Sequence, residues 1–429
     1  MKAAIYTLGC KVNQYESEYM AELLKKAGFE IVNPDEKADY YIINSCTVTA
    51  TADRKTRQNV RKFKRNNPDS TVILTGCMPQ AFPEAAKELK EADIVISNKS
   101  DGDILSFINE YKSSNKRLLS IEPHKTGDKF SDCSINAFNE RIRAFVKIED
   151  GCDRFCSYCI IPQARGRVRS KSLEALRNEI DSLANGGIKE IVLVGINLSA
   201  YGKGEDFDIT DAVRICSEND KIERVRLGSL EPDHITDEVI RKLAQYDKLC
   251  PQFHISLQSG CDKTLKNMNR HYSAEEYRAL CNSLREAFFE CTLTTDVMTG
   301  FHEETDEDFN DSLEFVKSIG FEKVHVFPYS QRNGTAASKR GDSVPKAEKE
   351  RRAAVMIKET AKIRTAFMND QIGKKVTVLF ESSDGNTYQG YTKNYIPVRC
   401  NFENDVIGKE LEVTINSYDE AEDCCFASL

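Results

Sequence analysis

The chain has 429 residues, 30% of them charged and 40% hydrophobic, and it carries a formal net charge of −8 at pH 7; this length is enough for two to four domains. No apolar run approaches the ~20 residues that span a bilayer, so we expect a cytoplasmic protein without a membrane partner. The negative charge argues against a uniformly basic nucleic-acid binder, but it allows a local basic patch.

Three cysteines follow three predicted strands in the first third of the chain. The strands at residues 3–8, 40–43 and 71–74 end close to Cys10, Cys46 and Cys77. Helical patterns, the first at residues 17–27, alternate with them and predict a parallel sheet. Ligands of such sheets collect at the carboxyl ends of the strands, so the thiols are predicted to converge on one metal site. Three separately buried thiols are the alternative.

A basic segment lies between the second and third of these cysteines. It contains Arg54, Lys55, Arg57, Arg61, Lys62, Lys64 and Arg65. Charge of one sign at this density attracts RNA phosphates, but a solvated helix face is equally compatible with it. Residues 112–129 predict a polar, partly flexible connector because they are rich in Ser and Lys.

The middle of the chain holds a second set of cysteines at close spacing. In GCDRFCSYCIIPQARGRVR, residues 151–169, Cys152, Cys156 and Cys159 form a C-x3-C-x2-C run. A cubic [4Fe–4S] cluster normally takes four cysteines, so three leave one iron open to a substrate or cofactor. The alternative is a structural zinc loop, although zinc normally takes a fourth ligand. Three arginines follow, Arg165, Arg167 and Arg169, and they either bind RNA phosphate or pair with acidic neighbours.

Six apolar segments predict the architecture around this loop. They occupy residues 143–148, 189–194, 222–227, 253–257, 292–298 and 323–327, with helical segments between them. This alternation predicts a partial (β/α)6 barrel, whose strand carboxyl ends line the active site. His254 and His325 lie inside strand patterns and are predicted to be core residues.

The last part of the chain changes pattern twice. A long charged helix is predicted from residue 346, and short strands with turns from residue 374 predict a small antiparallel barrel. Candidate RNA contacts there are Lys374, Lys375, Lys393 and Arg399, with Tyr391 and Tyr395 as stacking faces. Acidic residues outnumber basic ones in this segment, so an inert accessory barrel is the alternative.

Several of these motifs resemble one enzyme family. The cysteine loop is similar to the signature of the radical-SAM enzymes, and TLGCKVNQYES, NSCTVTATADRKTRQ and TGC resemble the N-terminal domain of the methylthiotransferases. GYTKNYIPV resembles the TRAM domain, an RNA-binding module. The resemblance covers nearly the whole chain and implies an α/β protein of four parts: residues 1–136 with an auxiliary cluster, 137–345 as the radical-SAM barrel, 346–370 as a helical connector and 371–429 as TRAM.

The resemblance also implies the cofactors and their contacts. Two [4Fe–4S] clusters are implied, one on Cys10, Cys46 and Cys77 and one on Cys152, Cys156 and Cys159. S-adenosylmethionine is implied at the open iron of the second, where its cleavage yields a 5′-deoxyadenosyl radical, while the first cluster carries the sulfur. The implied cofactor contacts are Tyr158 at the adenine, Gly195 and Asn197 at the methionine amino group, Ser229 and Glu231 at the ribose, and Gln258 and Ser259 near the open barrel face.

The implied activity is that of a tRNA methylthiotransferase. It converts N6-threonylcarbamoyladenosine at adenosine 37, in the anticodon stem-loop, to its 2-methylthio derivative. A reduced flavodoxin- or ferredoxin-like protein is the implied electron donor. The alternatives are isopentenyladenosine in tRNA, an aspartate of a ribosomal protein, or a non-catalytic iron–sulfur protein that binds RNA or senses redox state. GFHEET and FPYSQRNGT depart from the family's usual GFPGET and FPYSPRPGT, which changes turn geometry.

Overall fold

Buried apolar strands build a parallel sheet in the first part of the chain. The computed structural model describes residues 1–131, 133–135 and 142–429. Its first sheet contains strands β1 (Lys2–Thr7), β2 (Glu30–Val32), β3 (Tyr40–Ser45), β4 (Thr71–Gly76), β5 (Ile94–Ile96) and β6 (Leu118–Ser120). The accompanying helices are α1 (Lys11–Lys26), α2 (Ala50–Asn66), α3 (Cys77–Ala81), α4 (Pro83–Lys87) and α5 (Ile104–Ser114). The sheet order is β2-β1-β3-β4-β5-β6, with every pair parallel.

Both faces of this sheet are covered, which explains the continuous apolar runs of its central strands. Ile42 and Ile73 point into one core with Met20 of α1. Ile43 and Leu74, one residue further along each strand, point into the opposite core, to which α2 contributes. The sheet order reverses between β1 and β3, and that switch point is where such folds bind ligands.

Two boundaries differ from the sequence prediction. Helix α1 begins at Lys11 rather than near residue 17, because its first turns bury Val12, Tyr15 and Glu16 in a mixture of polar and apolar residues that has no clear helical period. Strand β6 lies inside the predicted connector, since a three-residue, half-exposed edge strand leaves no apolar run. The predicted domain boundary between residues 136 and 137 lies outside the described residues.

Six parallel strands form the predicted partial barrel in the middle of the chain. The strands of this part are β7 (Arg143–Lys147), β8 (Glu149–Asp150), β9 (Arg169–Ser170), β10 (Glu190–Val194), β11 (Arg224–Leu227), β12 (Ser229–Leu230), β13 (Gln252–Ile255), β14 (Thr292–Thr299) and β15 (Lys323–Pro328). The helices are α6 (Ile161–Arg165), α7 (Leu173–Asn185), α8 (Ile209–Glu218), α9 (Asp237–Leu243), α10 (Asp262–Asn267), α11 (Ala274–Ala287), α12 (Asp306–Ile319) and α13 (Ala336–Arg340). The wall runs β7-β10-β11, continues past Gly228 as β12-β13-β14-β15, and pairs in parallel throughout.

The chain ends in a small closed barrel that follows one long helix. The helix is α14 (Lys346–Asn369), and the strands are β16 (Lys375–Asp384), β17 (Thr387–Thr392), β18 (Pro397–Asn401), β19 (Glu410–Asp419) and β20 (Cys424–Ser428). They close in the order β16-β17-β18-β20-β19, antiparallel except for the parallel pair β18-β20. Among the described helices, none is long and apolar enough to cross a membrane.

The small barrel docks on the amino ends of the large barrel's strands. Arg226 stacks on the ring of Tyr395 at 4.4 Å, and Arg143 Nη1 donates to the Tyr395 hydroxyl at 3.1 Å. Thr292 Oγ1 donates to the carbonyl of Asn394 at 2.7 Å. Tyr391 stacks on Tyr395 with ring centres 4.5 Å apart. These tyrosines are therefore used in the contact between the two barrels, and their position does not support the prediction that they stack on RNA bases.

Tyr395→Ala is expected to destabilise this contact. The change removes a ring that covers Arg226 and the hydroxyl that accepts from Arg143, and the loss of a half-buried aromatic side chain costs about 2 kcal/mol. Urea denaturation measures the effect, with Phe289→Ala as the control because that ring is 86% exposed. Equal stability of the two variants would contradict the docking role.

Candidate functional site

The first cysteine set lies at the switch point of the N-terminal sheet. Cys10 follows β1, Cys46 follows β3, and Cys77 opens α3 directly after β4. A Cβ added to Gly9, whose φ is +114°, would lie 2.9 Å from Cys46 Cβ and 3.3 Å from its sulfur. Only glycine permits this close approach of the two loops. The structure thus brings the three predicted thiols to one edge, as the sequence analysis expects; their role as cluster ligands stays a prediction.

Asn13, on the first turn of α1, organises this edge. Its Oδ1 accepts from the thiol of Cys10 at 3.6 Å and from that of Cys77 at 4.0 Å. Its Nδ2 donates to the carbonyls of Leu8 at 2.9 Å and Ser45 at 3.0 Å. One amide therefore ties the loops after β1 and β3 to the thiol that begins α3. Asn13 was not among the predicted site residues, because the first turns of α1 show no clear helical period in the sequence.

The second cysteine set lies on the loop between β8 and α6. The amide of Cys152 donates to the carbonyl of Gly166 at 3.0 Å, and the amide of Cys159 donates to that of Cys156 at 3.0 Å. Burial raises the pKa of Cys152, and the charges of Cys159 and Cys156 raise it further. The three thiols therefore interact electrostatically with one another. Burial also raises the pKa of Cys159 to about 12 and that of Cys77 in the first set to about 12.

An arginine lies against one thiol of each set. Arg165 Nε donates to Cys77 Sγ at 3.2 Å, and Arg270 Nη1 donates to Cys156 Sγ at 3.3 Å. Both guanidinium groups are buried. A fixed positive charge against sulfur stabilises the thiolate, which is the form that binds metal. Arg270 was not among the predicted site residues, and Arg165 was predicted to contact either RNA or acidic neighbours.

The structure resolves that choice for the three arginines after the cysteine loop. Arg165 is completely buried and donates to Glu16 Oε2 at 2.9 Å and Asn13 Oδ1 at 2.8 Å. Arg169 pairs with Asp150 at 3.2 Å. The half-exposed Arg167 lies 3.4 Å from Asp153. All three therefore pair with acidic side chains.

Arg165 belongs to a larger buried network. Lys147 Nζ lies 2.7 Å from Glu16 Oε1 and 2.7 Å from Asp150 Oδ2. Burial alone would raise the pKa of Glu16, but the charges of Arg165 and Lys147 outweigh that effect and lower it below its ordinary value of 4.5. Glu16 is on α1 and the other three side chains are on the large barrel or its cysteine loop, so the network joins the two parts of the chain.

The residues predicted to hold a cofactor occupy the rim beside the second cysteine set. Asn197 is buried, and its backbone N–H donates to Glu149 Oε2 at 2.6 Å. A Cβ on Gly195 would lie 2.6 Å from the same oxygen, so this position requires glycine. Glu231 Oε2 accepts from Arg270 Nη2 at 2.5 Å, which links the predicted ribose side to the arginine on Cys156.

The other four predicted cofactor contacts differ in their exposure and in their partners. Tyr158 packs edge-on against Phe301 with ring centres 6.2 Å apart. Gln258 adopts φ +69°, an uncommon conformation for a non-glycine residue. Ser229 is exposed at the rim. The hydroxyl of the buried Ser259 accepts from the amide of Cys261 at 3.2 Å, so this side chain supports its own loop.

The unpaired acceptor atoms at this rim suit a ligand rich in hydrogen-bond donors. Glu149 Oε1, Asn197 Oδ1 and Gln258 Oε1 are buried acceptors without a hydrogen-bond partner among the described residues. A buried unpaired acceptor costs stability unless a ligand satisfies it. The amino group and ribose hydroxyls of S-adenosylmethionine are such donors, so the residues present fit this cofactor.

The two cysteine sets do not have the geometry of a single-ion site. In the described parts of the chain, no group of three or more His, Cys, Asp or Glu side chains lies at the spacing of a single-ion site. A [4Fe–4S] cube binds its thiolates at separate iron corners, so that spacing is not a test of a cluster, and the role of the six cysteines as ligands stays a prediction.

The interior wall of the large barrel is polar at mid-height. His254 Nδ1 lies 3.0 Å from Thr294 Oγ1, and its Nε2 lies 3.3 Å from Asp296. The rings of His254 and His325 are 5.8 Å apart. His325 is exposed, so the prediction that it is a core residue is wrong: it faces the open interior of the barrel.

Family models match two parts of the chain. Residues 2–97 match the model described as "Uncharacterized protein family UPF0004", and residues 146–316 match the Radical SAM superfamily. Among solved structures, the radical S-adenosylmethionine methyltransferase TsrM from Kitasatospora setae, with cobalamin and a [4Fe-4S] cluster bound, superposes with a TM-score of 0.56 at 15% identity. The match covers 76% of this chain and 74% of that one, and it shows the fold.

Curated relatives cover most of the chain. A protein of Bacillus subtilis named Threonylcarbamoyladenosine tRNA methylthiotransferase MtaB is 36% identical over 92% of this chain and 89% of its own. A protein of the same name from Thermotoga maritima is 38% identical over 88% of this chain and 86% of its own. A tRNA-2-methylthio-N(6)-dimethylallyladenosine synthase from Clostridium novyi is 35% identical over 89% and 86%.

Glu16→Gln is expected to destabilise the folded chain by about 3–5 kcal/mol, because it leaves the buried charges of Arg165 and Lys147 with one carboxylate fewer. The pKa of Glu16 in the folded chain is lowered below its ordinary value. Its contribution to folding stability is therefore fully present above pH ~4.5, and it is lost as the pH falls through the folded-state pKa. The gap between the wild type and the variant should therefore narrow in acid.

Urea denaturation at several pH values measures both effects. The matched control is Glu84→Gln, which breaks an exposed pair with Lys87 and should cost less than about 1 kcal/mol. A Glu16→Gln variant as stable as this control would show that the network does not hold the two parts together.

Proposed function

The chain belongs to the radical-SAM tRNA methylthiotransferases, and from this premise we propose that it modifies the adenosine beside the anticodon of tRNA. It is an enzyme that converts N6-threonylcarbamoyladenosine to its 2-methylthio derivative, with S-adenosylmethionine and [4Fe–4S] clusters as cofactors. This identity sets aside the non-catalytic alternative. One observation carries the assignment of the chemistry to residues: two three-cysteine sets, each with an arginine against one thiol.

The two cysteine sets are assigned different tasks. Cys10, Cys46 and Cys77 hold the auxiliary cluster, and the C-x3-C-x2-C loop holds the cluster that binds S-adenosylmethionine. When bound, these groups supply the sulfur and the radical that opens an unactivated aromatic C–H bond. Such a C–H bond has no proton that a side chain can remove, so no general base is assigned.

The protein side chains bind and orient the cofactor. Asn197 and Glu149 offer buried acceptors to the methionine end of the cofactor. Glu231, which accepts a hydrogen bond from Arg270, lies on the ribose side. Tyr158 covers the adenine. Gly195 lets Glu149 approach, Gln258 offers a third acceptor, and Ser259 positions its loop. Ser229, which is exposed at the rim, is proposed to contact the cofactor from its solvent side.

The tRNA is proposed to approach from the cysteine side of the barrel. The small C-terminal barrel docks at the opposite end, so the base is proposed to enter above the strand carboxyl ends. Helix α2 begins shortly after Cys46, and its exposed Arg54 and Lys55 have no ion pair among the described residues, whereas Arg61, Lys62 and Lys64 are paired. The start of α2 is therefore the proposed contact for anticodon-stem phosphates.

The division of labour follows the predicted segments. Residues 1–136 carry the auxiliary cluster, 137–345 the radical chemistry, 346–370 the connector and 371–429 the TRAM barrel. A reduced flavodoxin- or ferredoxin-like protein is proposed as the electron donor. The cytoplasmic location stays a prediction.

Cys77→Ala and Cys156→Ala are expected to separate the two tasks. Each variant should lower the iron content of anaerobically reconstituted protein from about eight to about four per chain. Cys77→Ala should still form 5′-deoxyadenosine from S-adenosylmethionine with dithionite, but it should form no methylthio product on threonylcarbamoyladenosine RNA. Cys156→Ala should form neither.

The control is Cys250→Ala, a buried thiol outside both sets, which should keep about eight irons and both products. The assignment would be contradicted if Cys77→Ala formed no 5′-deoxyadenosine while Cys156→Ala did. It would also be contradicted if Cys156→Ala formed the methylthio product at the wild-type rate.

A further inference from the structure

Lys11 extends the first cysteine set into the interior of the large barrel. It follows Cys10 directly and opens α1. Its Nζ lies 5.8 Å from the centre of the Phe145 ring. Val12, the next residue, packs on Val192 and Val194 together with Phe145. The alternate residues of these strands pack outward against helices, so the first turn of α1 lies on the inner wall.

The cations next to Lys11 on that wall are paired. Arg226 pairs with Glu190 at 3.1 Å and Arg143 with Glu381 at 2.9 Å. Lys147 pairs with Glu16 and Asp150. Lys11, by contrast, has neither a hydrogen bond nor an ion pair within the parts of the chain that the structure describes, although its side chain is open to the interior. The charges of Arg143, Arg226 and Glu190 all act on Lys11, and two of these three are positive. A lysine without an ion-paired carboxylate of its own, next to two arginines, favours an anionic group that enters from outside.

We propose that Lys11 binds the carboxylate of the threonylcarbamoyl group on the substrate adenosine. This inference rests on the proposed function, which supplies a base with one negatively charged substituent. A backbone phosphate stays outside, because only a base turned out of its stack enters an enclosed pocket of this kind. The cofactor's carboxylate belongs at the other cysteine set, where Arg270 already lies beside Cys156.

The wall around Lys11 offers further contacts for the same substituent. Burial lowers the pKa of His325, the charge of Asp296 opposes this effect, and the charges of His254, Lys323 and Lys11 lower the pKa further. His254, Thr294 and Asp296 lie next to His325. An adenosine with an apolar dimethylallyl group would leave Lys11 without a partner. A site built around a charged contact rejects the analogue that lacks it, so Lys11 sets specificity as a substrate-binding residue.

The test compares two anticodon stem-loop RNAs that differ only in this charge. One carries threonylcarbamoyladenosine, and the other carries the same group with its carboxylate as a neutral methyl ester. The holoenzyme should prefer the acid over the ester by roughly 10- to 100-fold in kcat/KM, the range expected for a hydrogen bond to a charged group. In Lys11→Gln this ratio should fall to about one, mainly through KM, and Lys11→Arg should restore part of it.

Equilibrium binding of the same two RNAs, without turnover, should show the same loss of preference. Lys25→Gln, an exposed lysine at the other end of α1, is the matched control and should keep the wild-type ratio. General damage near Cys10 would lower the rates on acid and ester equally, so an unchanged ratio in Lys11→Gln overturns the inference, as does a wild-type ratio of one. A wild type that methylthiolates neither RNA overturns the proposed function itself, and this inference with it.

Discussion

The arrangement depends on one buried ionic network, in which Glu16 of α1 meets Arg165, Lys147 and Asp150 of the large barrel. These charges are costly to bury alone and are compensated only when both parts are in contact. Arg165 also donates to Asn13 and lies against Cys77, and it ends the helix that follows Cys159. The same guanidinium therefore fixes the first cysteine set relative to the loop that carries the second.

The two ends of the large barrel have different roles. At the amino ends of its strands, Arg143, Arg226 and Thr292 are committed to Tyr395 and Asn394 of the small barrel. At the carboxyl ends, the chain places thiols, unpaired acceptors and the start of α1. This matches the general rule that barrel chemistry lies at the strand carboxyl ends and stability at the opposite end. The interior between them is polar, with His325 and Lys11 facing it.

Much of this was accessible from the sequence, because it depends on local patterns. The six barrel strands are apolar runs, and each of Cys10, Cys46 and Cys77 follows a strand, so the topology of a parallel sheet brings them together. The residues that were missed act through distant partners. Glu16 was not predicted, and Arg165 was left open between RNA and an acidic neighbour, because the two residues are far apart in sequence and neither shows a local signal of pairing. His325 looks like a core residue because a strand pattern does not tell an inner barrel wall from a packed core.

The central claim is that the two cysteine sets hold two clusters close together above one barrel interior. Electron paramagnetic resonance of the dithionite-reduced enzyme tests it most directly, since two nearby paramagnetic clusters interact magnetically. The spectrum of the fully loaded wild type should differ from the sum of the spectra of the two single-cluster forms, with additional splitting or broadening. A wild-type spectrum equal to that sum, or one that contains a single cluster, would contradict the account.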